Sequence, residues 1–329
     1  MILSIIIPMF NSQNTIKRAI DSCLESLAEI EIILVDDGST DSTIRIIKKY
    51  YQKLISSNII QIINSGHRGA GNARNVGLNK AVGKWIIFLD SDDKFVNLRR
   101  VLSDIKNERE QNCIDIISYT KNPLIWNNKS QKKIIVNGKR LIKDNLGLSN
   151  DSKKYWDSGP VNKVYRKSFL KKHGIYFATD VKIGEDLIFN QKCLLLNPSV
   201  LVIHEYVYKI ITNQDSVTHI IVKQDILSDA VSLIEKICLL DIPYLTKEEF
   251  IAKNYIAVLI RFLKSDHSVN DIINDLKLYK YKFTIKNSLI IFLKIRISLN
   301  LIKSLTGWLI WVNPNLLKVL YPLIKRIRY

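Results

Sequence analysis

Short apolar runs that end in acidic residues are the feature that most constrains this chain. Trp85-Ile86-Ile87-Phe88-Leu89 has the length and composition of a buried strand, and Asp90-Ser91-Asp92-Asp93 follows it directly. Ile32-Ile33-Leu34-Val35 is a second such run, and it leads into Asp36 and Asp37. Because ligands of open α/β sheets bind beyond the carboxyl ends of the strands, we expect both acidic ends to border one crevice.

Strands and helices alternate along the first 220 residues. Apolar runs predict strands at 2–7, 30–35, 59–63, 85–89, 115–119 and 200–204. Apolar residues at helical spacing predict helices between them, including those near 98–107 and 185–196. Residues 121–158 are polar, and we expect them to be irregular with a short helix near 138–147. The alternation predicts an α/β fold whose sheet is mostly parallel and flanked by helices.

The net charge of +18 is concentrated at the C-terminus. Residues 276–329 contain eleven Lys or Arg and no Asp or Glu, and the pattern from about residue 223 is helical. The longest uncharged run there, 304–317, has 14 residues, fewer than the ~20 that span a bilayer. Trp308 and Trp311 among Leu, Ile and Lys are typical of an amphipathic segment on an anionic membrane surface. A basic helical pair packed on the domain or in a dimer interface is the alternative.

The cysteines and the N-terminus indicate the compartment. Cys23, Cys113, Cys193 and Cys238 are far apart and form no Cys-x-x-Cys pair, so reduced thiols are expected in place of a zinc site or a disulfide framework. The chain begins directly with a predicted strand and has no basic segment of the kind that opens a signal peptide. We therefore predict a cytoplasmic protein, peripheral on the inner face of the cell membrane.

Each acidic strand end has a chemical interpretation and a simpler one. Carboxylates crowded after Leu89 repel one another, and Mg²⁺ or Mn²⁺ bridging to phosphate would neutralise them. The simpler interpretation is a solvated acidic turn. Asp37 is placed to accept an N–H group of a uracil-like base, or alternatively to favour the start of the following helix.

Four ordered motifs resemble those of the family 2 inverting glycosyltransferases, which have the GT-A fold. They are Ser4-Ile5-Ile6-Ile7-Pro8-Met9-Phe10-Asn11, Val35-Asp36-Asp37-Gly38-Ser39-Thr40-Asp41, Gly69 with Ala73-Arg74-Asn75-Val76-Gly77, and Phe88-Leu89-Asp90-Ser91-Asp92-Asp93. Weaker similarity continues through Asn162-Lys163-Val164-Tyr165-Arg166 and Gly184-Glu185-Asp186-Leu187-Ile188-Phe189, and it fades after His219.

The resemblance implies roles on the donor side. Asp92 is the expected metal ligand, with Asp93 as a substitute and His219 as a candidate third ligand. The nucleotide-binding residues that it implies are Pro8, Phe10, Asn11, Asp37, Arg74, Asp90 and Ser91. Among them, Pro8 and Phe10 would flank the base. Arg74 is left with two possible partners, a phosphate or Asp90.

The resemblance also implies roles on the acceptor side. Inverting transfer needs a base that takes the proton of the acceptor hydroxyl, and the motif assigns this role to Asp186. Glu185 would orient the acceptor. The simpler interpretation is that both acids favour the start of a helix. Lys163 and Arg166 would either bind phosphate or pack a turn.

We therefore predict a metal-dependent hexosyltransferase that moves a sugar from a nucleotide, most simply UDP, to a saccharide on a lipid-linked or cell-surface glycan. The predicted domains are 1–220, with a nucleotide-binding half at 1–95 and an acceptor-side half at 96–220, and a helical region at 221–329. One alternative is a nucleotidyltransferase, but residues 8–11 lack the glycine-rich activation loop it would need. A basic nucleic-acid-binding protein is the other alternative, although the Leu and Ile content of the tail suits lipid better.

Overall fold

The protein is described from a computed structural model that covers residues 1–109, 114–119, 133–149, 156–211, 226–263, 268–283, 285, 288 and 308–318. The chain divides into two compact units, Met1–Gly147 with Asp151–Ser216 and Leu148–Asn150 with Val217–Tyr329. The domain boundary predicted at residues 220 and 221 lies outside the described residues, so it stays a prediction.

An eight-stranded sheet forms the centre of the first unit, with the spatial order β3-β2-β1-β4-β8-β6-β9-β7. The strands of the unit are β1 (Leu3–Met9), β2 (Ile30–Asp36), β3 (Ile60–Asn64), β4 (Trp85–Phe88), β5 (Lys94–Phe95), β6 (Ile116–Tyr119), β7 (Lys133–Asn137), β8 (Lys163–Arg166), β9 (Ser199–Ile203) and β10 (Tyr208–Lys209). Strands β1 to β4 are mutually parallel. Strand β8 is antiparallel to both β4 and β6, and β5 pairs with β10 in a separate ribbon.

Two strands of this sheet were not predicted. Strand β7 lies in the segment predicted to be irregular, where it pairs antiparallel with β9 at the sheet edge. Its alternate positions, Lys133, Ile135 and Asn137, are exposed, and its apolar run is only three residues long, so it is a weak strand signal. Strand β8 is only four residues long and has charged ends. The predicted mixed α/β fold with a mostly parallel sheet and flanking helices is otherwise confirmed.

Helices cover the sheet of the first unit. They are α1 (Ile16–Asp21), α2 (Thr43–Ser56), α3 (Ala70–Lys80), α4 (Leu98–Arg109), α5 (Gly138–Asn145), α6 (Lys167–Lys172) and α7 (Glu185–Leu195). Helix α3 packs closely on β1, because a Cβ atom at Gly77 would lie 2.4 Å from Cγ2 of Ile6. This close packing fixes the helix that carries Arg74 against the strand that leads to the predicted base site.

The second unit is helical in the parts that are described. It contains α8 (Ile226–Leu239), α9 (Tyr244–Leu263), α10 (Val269–Lys282), a short helix at 308–312 and a 3-10 turn at Pro314–Leu316. Tyr255, Tyr279 and Trp311 form its aromatic centre, with the Tyr255 ring 5.3 Å from Tyr279 and 4.9 Å from Trp311. Residues 284, 286–287, 289–307 and 319–329 of the basic tail lie outside the described residues. None of the helices described here is long and apolar enough to cross a membrane.

Candidate active site

The loops that follow β1, β2 and β4 are joined at the carboxyl edge of the sheet. Asn11 donates its backbone N–H to Oγ of Ser39 over 2.9 Å, and its side-chain oxygen accepts the backbone N–H of Thr40, also over 2.9 Å. The hydroxyls of Ser12 and Ser91 are 2.8 Å apart. Asn11 and Ser91 thus hold together the loops of the predicted nucleotide site, which places both residues at this edge.

Asp37 is a buried carboxylate that organises the loop after β3. Its Oδ1 accepts the hydroxyl of Ser65 over 2.7 Å and the backbone N–H of Arg68 over 2.9 Å, while Oδ2 accepts the N–H of Gly69 over 2.8 Å. A carboxylate oxygen can accept about two hydrogen bonds. Oδ1 is therefore fully used, and Oδ2 keeps one position for a further donor.

Phe10 and His67 form an exposed ring pair beside Asp37. Their ring centroids are 4.9 Å apart and the planes are tilted by 36°. Nδ1 of His67 lies 2.8 Å from the carbonyl oxygen of Asp37. The sequence analysis missed His67, whose only signal was its place between two glycines in Gly66-His67-Arg68-Gly69. Pro8, by contrast, is buried within β1 and paired with Val35 in the register of β2.

Arg74 is the centre of the acidic cluster. Its Nη1 donates to Asp186 over 2.9 Å and to Glu185 over 3.1 Å, and its Nη2 donates to Asp90 over 3.0 Å. The guanidinium is buried and also lies 5.4 Å from the ring centroid of Phe177. Burial alone would lower the pKa of Arg74, but the three carboxylates outweigh it and raise the pKa further above its usual range. One buried cation therefore joins the loop after β4 to the start of α7.

Asp186 has a perturbed protonation equilibrium. Its removal from water raises the pKa of its carboxyl group to about 7, against the opposing effect of Arg74. The negative charges of Glu185 and Asp90 act in the same direction as burial. A carboxylate that titrates close to neutral pH is well matched to general base catalysis.

The three acids after β4 occupy different environments. Asp93 is buried, and its oxygens accept the hydroxyl of Tyr208 over 2.6 Å and the backbone N–H of Ile211 over 2.8 Å. Burial raises the pKa of Asp93 to about 6, although those two hydrogen bonds oppose the change. This geometry favours an anchoring role for Asp93 over its predicted role as a substitute metal ligand. Asp90 and Asp92 are half-exposed.

The fit of a divalent cation to this turn depends on Asp90 and Asp92. Burial raises the pKa of Asp92, and the charge of Asp90 raises it further, so a nearby cation would relieve both effects. In the part of the chain that the structure describes, no three His, Cys, Asp or Glu side chains are grouped so as to hold a metal ion. Mg²⁺ commonly binds through one or two carboxylates plus substrate phosphates, so this turn still fits a metal carried with a diphosphate. His219 lies outside the described residues.

Lys163 and Arg166 take the packing roles that the sequence left open. Lys163 is buried and donates to Asp157 over 3.0 Å and to the carbonyl oxygen of Gly159 over 2.6 Å. Arg166 donates to the carbonyl oxygen of Ile114 over 2.7 Å and stacks over the ring of Trp85. Lys163 thereby holds the segment that precedes β8.

The fold matches the GT-A fold. The crystal structure of residues 1–349 of S. aureus TarS in complex with UDP-GlcNAc superposes with a TM-score of 0.62 at 22% identity, covering 94% of this chain and 89% of that one. The model of the Glycosyl transferase family 2 matches residues 4–174. The chain therefore belongs to glycosyl transferase family 2, as the four motifs predicted.

Two curated relatives show the range of similar enzymes. The poly(ribitol-phosphate) beta-glucosyltransferase of Bacillus spizizenii is 30% identical over 223 residues, which are 65% of this chain and 32% of that protein. WfaP of Escherichia coli, a UDP-Glc:alpha-D-GlcNAc-diphosphoundecaprenol beta-1,3-glucosyltransferase, is 43% identical over 99 residues, 30% of this chain and 38% of that protein. The matches span between 32% and 38% of these relatives' lengths. Family membership favours a glycosyltransferase over the nucleotidyltransferase and nucleic-acid-binding alternatives.

Proposed function

We propose that this protein transfers a hexosyl group from a UDP-sugar to the hydroxyl of a saccharide, with inversion at the anomeric carbon. The observation that carries the proposal is the cluster around Arg74. It brings Asp90, from the predicted donor side, together with Glu185 and Asp186, from the predicted acceptor side. A single site thus holds the acids needed at both ends of the reaction.

In the proposed reaction Asp186 takes the proton of the acceptor hydroxyl. The acceptor oxygen forms a bond to the anomeric carbon while the bond from that carbon to the diphosphate oxygen breaks. The nucleoside diphosphate leaves with the electron pair of the broken bond, and attack from the opposite face inverts the configuration. Partial burial of Asp186 supports this role, because it raises the pKa to about 7. Glu185 shares Arg74 with Asp186 and is proposed to orient the acceptor.

The proposed nucleotide site is built around Asp37, which accepts the N–H of Gly69 directly before the helix that carries Arg74. Oδ2 of Asp37 is proposed to accept the imide N–H of uracil at its remaining position, with the base beside the rings of Phe10 and His67. Both rings are exposed at the loop that Asp37 fixes. Pro8, which is buried near the end of β1, stays a predicted neighbour of the base.

The proposed metal is Mg²⁺ or Mn²⁺, held by Asp92 with Asp90 nearby. When bound, it supplies positive charge that stabilises the departing diphosphate. Arg18 supports this turn by donating from its guanidinium to the backbone carbonyl oxygen of Asp92. The expected third ligand, His219, stays a prediction.

The proposed acceptor is a lipid-linked or cell-surface glycan at the inner face of the membrane. The names of the two relatives support it, since one acts on poly(ribitol-phosphate) and the other on a saccharide linked to diphosphoundecaprenol. We propose that residues 1–95 bind the nucleotide and that 96–220 contribute most of the acceptor side.

A donor screen tests this proposal. Thermal stabilisation of the protein is measured with UDP-, GDP- and dTDP-sugars, with and without Mn²⁺, alongside release of the nucleoside diphosphate. We expect stabilisation by a UDP-sugar that increases with Mn²⁺ and loses that increase in Asp92→Asn. Asp21→Asn, at an exposed acid of α1, is the matched control and should behave as the unaltered protein. Stabilisation by none of the donors would overturn the assignment.

A further inference from the structure

The end of α10 exposes apolar side chains, and the adjacent helix at 308–312 also exposes apolar side chains. Tyr281 is 88% exposed and Leu278 48% exposed, and Leu309 and Val312 of the helix at 308–312 are also exposed. Nζ of Lys280 donates to the carbonyl oxygen of Val312 over 2.8 Å, so the two helices are adjacent. We call the exposed residues 277, 278, 281, 309 and 312 the α10 face.

The α10 face is basic as well as apolar. The acids of α10, Asp271 and Asp275, lie in its first half, whereas Lys277, Lys280 and Lys282 lie in its last two turns. Lysines at the end of a helix are favoured by the helix dipole in any protein, so their presence alone identifies no partner. Here they accompany exposed Leu and Tyr side chains, and no Asp or Glu follows them in the sequence up to residue 329.

A second exposed apolar site in the same unit has charges of both signs near it in the sequence. Leu239, at the end of α8, is 81% exposed, and Tyr244, at the start of α9, is 55% exposed. The charged residues near them in the sequence are Lys236, Asp241 and Lys247, together with Glu248 and Glu249, which are buried. The two sites expose the same residue types, a leucine and a tyrosine, but only the α10 face combines them with an excess of positive charge.

We propose that the α10 face binds the surface of an anionic lipid bilayer. Leucine, valine and tyrosine side chains enter the headgroup region, and the lysines contact lipid phosphates. Charge complementarity argues for this partner, because lysines predominate beside the exposed apolar groups: Lys282 pairs with Glu235, while Lys277 is exposed within the face itself. The proposal goes beyond sugar transfer and does not depend on it.

Vesicle co-sedimentation of the full chain tests the proposal. The vesicles contain phosphatidylcholine with or without phosphatidylglycerol. We expect binding only when phosphatidylglycerol is present, and weaker binding as salt is raised. The double variant Leu278→Ser/Tyr281→Ser should bind roughly tenfold more weakly or worse, because both side chains lose their apolar burial. Leu239→Ser/Tyr244→Ser removes the same residue types from the second exposed apolar site and should bind as the unaltered protein.

Several results would overturn the proposal. They are absence of binding to phosphatidylglycerol vesicles, equal binding to pure phosphatidylcholine, or equal losses in the two double variants. Salt-sensitive binding of RNA that is lost in Leu278→Ser/Tyr281→Ser would reassign the face to nucleic acid. Melting temperatures and stabilisation by UDP-sugar, measured on the same samples, show that each variant is folded and separate this outcome from failure of the proposed transfer activity.

Discussion

Asp37 and Asp186 are both carboxylates close to the carboxyl edge of one sheet, yet they are held in different ways. Asp37 accepts its hydrogen bonds from neutral groups, the Ser65 hydroxyl and the backbone N–H groups of Arg68 and Gly69. Asp186 accepts from the guanidinium of Arg74, which it shares with two other carboxylates. Asp37 shares its three donors with no other carboxylate, whereas Asp186 shares one guanidinium with Asp90 and Glu185.

This difference is consistent with the proposed roles, nucleotide recognition for Asp37 and proton transfer for Asp186. Several neutral donors hold a carboxylate in one orientation, which suits an acceptor that reads a base. Burial and like charges make ionisation of Asp186 costly, so the pKa of its carboxyl is raised to about 7 and the group can exchange a proton near neutral pH. The predictions below test whether the two acids divide the work in this way.

The largest expected effect is that of Asp186→Asn. The amide keeps the shape of the side chain but takes no proton from the acceptor, so kcat should fall by about 10²–10⁴-fold. Binding of UDP-sugar, measured by calorimetry, should stay within the range of the unaltered protein. Turnover that survives this substitution would remove Asp186 from the role of base.

Removal of the shared cation should mainly reduce stability. Arg74→Met leaves Asp90, Glu185 and Asp186 together without a counter-charge, which should lower the free energy of unfolding by about 3 kcal/mol. Urea denaturation at neutral pH measures this change. Arg45→Met, at an exposed arginine on α2, is the control and should have little effect. Equal stability of the two variants would show that the cluster does not depend on Arg74.

At the other carboxylate, Asp37→Asn should weaken UDP binding by roughly 10- to 100-fold and leave kcat at saturating donor nearly unchanged. The amide offers one acceptor oxygen where the loop and the base need two. Ser65→Ala keeps the carboxylate and removes one donor, so it should have a smaller effect on the dissociation constant. A fall in kcat as large as that of Asp186→Asn would abolish the proposed division.

The smallest effect is a displacement of the pH profile. Because the base must be ionised, kcat should fall as the pH falls below about 7. Glu185→Gln removes a neighbouring negative charge, lowers the pKa of Asp186 and should move this acidic limb to lower pH. Unfolding provides a second measurement, since a pKa raised in the folded protein favours folding below its ordinary value of 3.8. That contribution should be lost as the pH rises from about 4 through 7. If the pH dependence of kcat is the same in Glu185→Gln as in the unaltered protein, a group other than Asp186 determines the fall in kcat at low pH.

The parts of the fold that the sequence predicted are those with local signals. Strands β1, β2, β3 and β4 are long apolar runs, and each was located within two residues of its observed start. Strand β7 was not predicted because it is an edge strand. Strand β8 was not predicted because it is short and carries a buried lysine at its start. Neither feature leaves a periodic pattern.

For the site as well, the sequence predicted which residues take part but not the contacts between residues far apart in the chain. The motifs placed Asp37, Arg74 and Asp186 in the site, but the sequence left the partner of Arg74 open. Its contacts with Glu185 and Asp186 join residues 111 and 112 positions apart, and only the path of the sheet brings them together. Likewise, the sequence analysis preferred Asp92 as the metal ligand but kept Asp93 as a substitute. The hydrogen bond of Asp93 to Tyr208, 115 positions away, distinguishes them.

The reversed direction of β8 has a consequence for how such enzymes diversify. Because β8 starts at the edge where β4 ends, the segment before it reaches the sheet at the candidate site, where Lys163 and Asn190 both donate to the carbonyl oxygen of Gly159. Loops of this kind gain and lose residues without displacing the framework beneath them. We therefore expect relatives with different acceptor preferences to vary in length before β8, and to keep the spacing of the loops after β1 to β4.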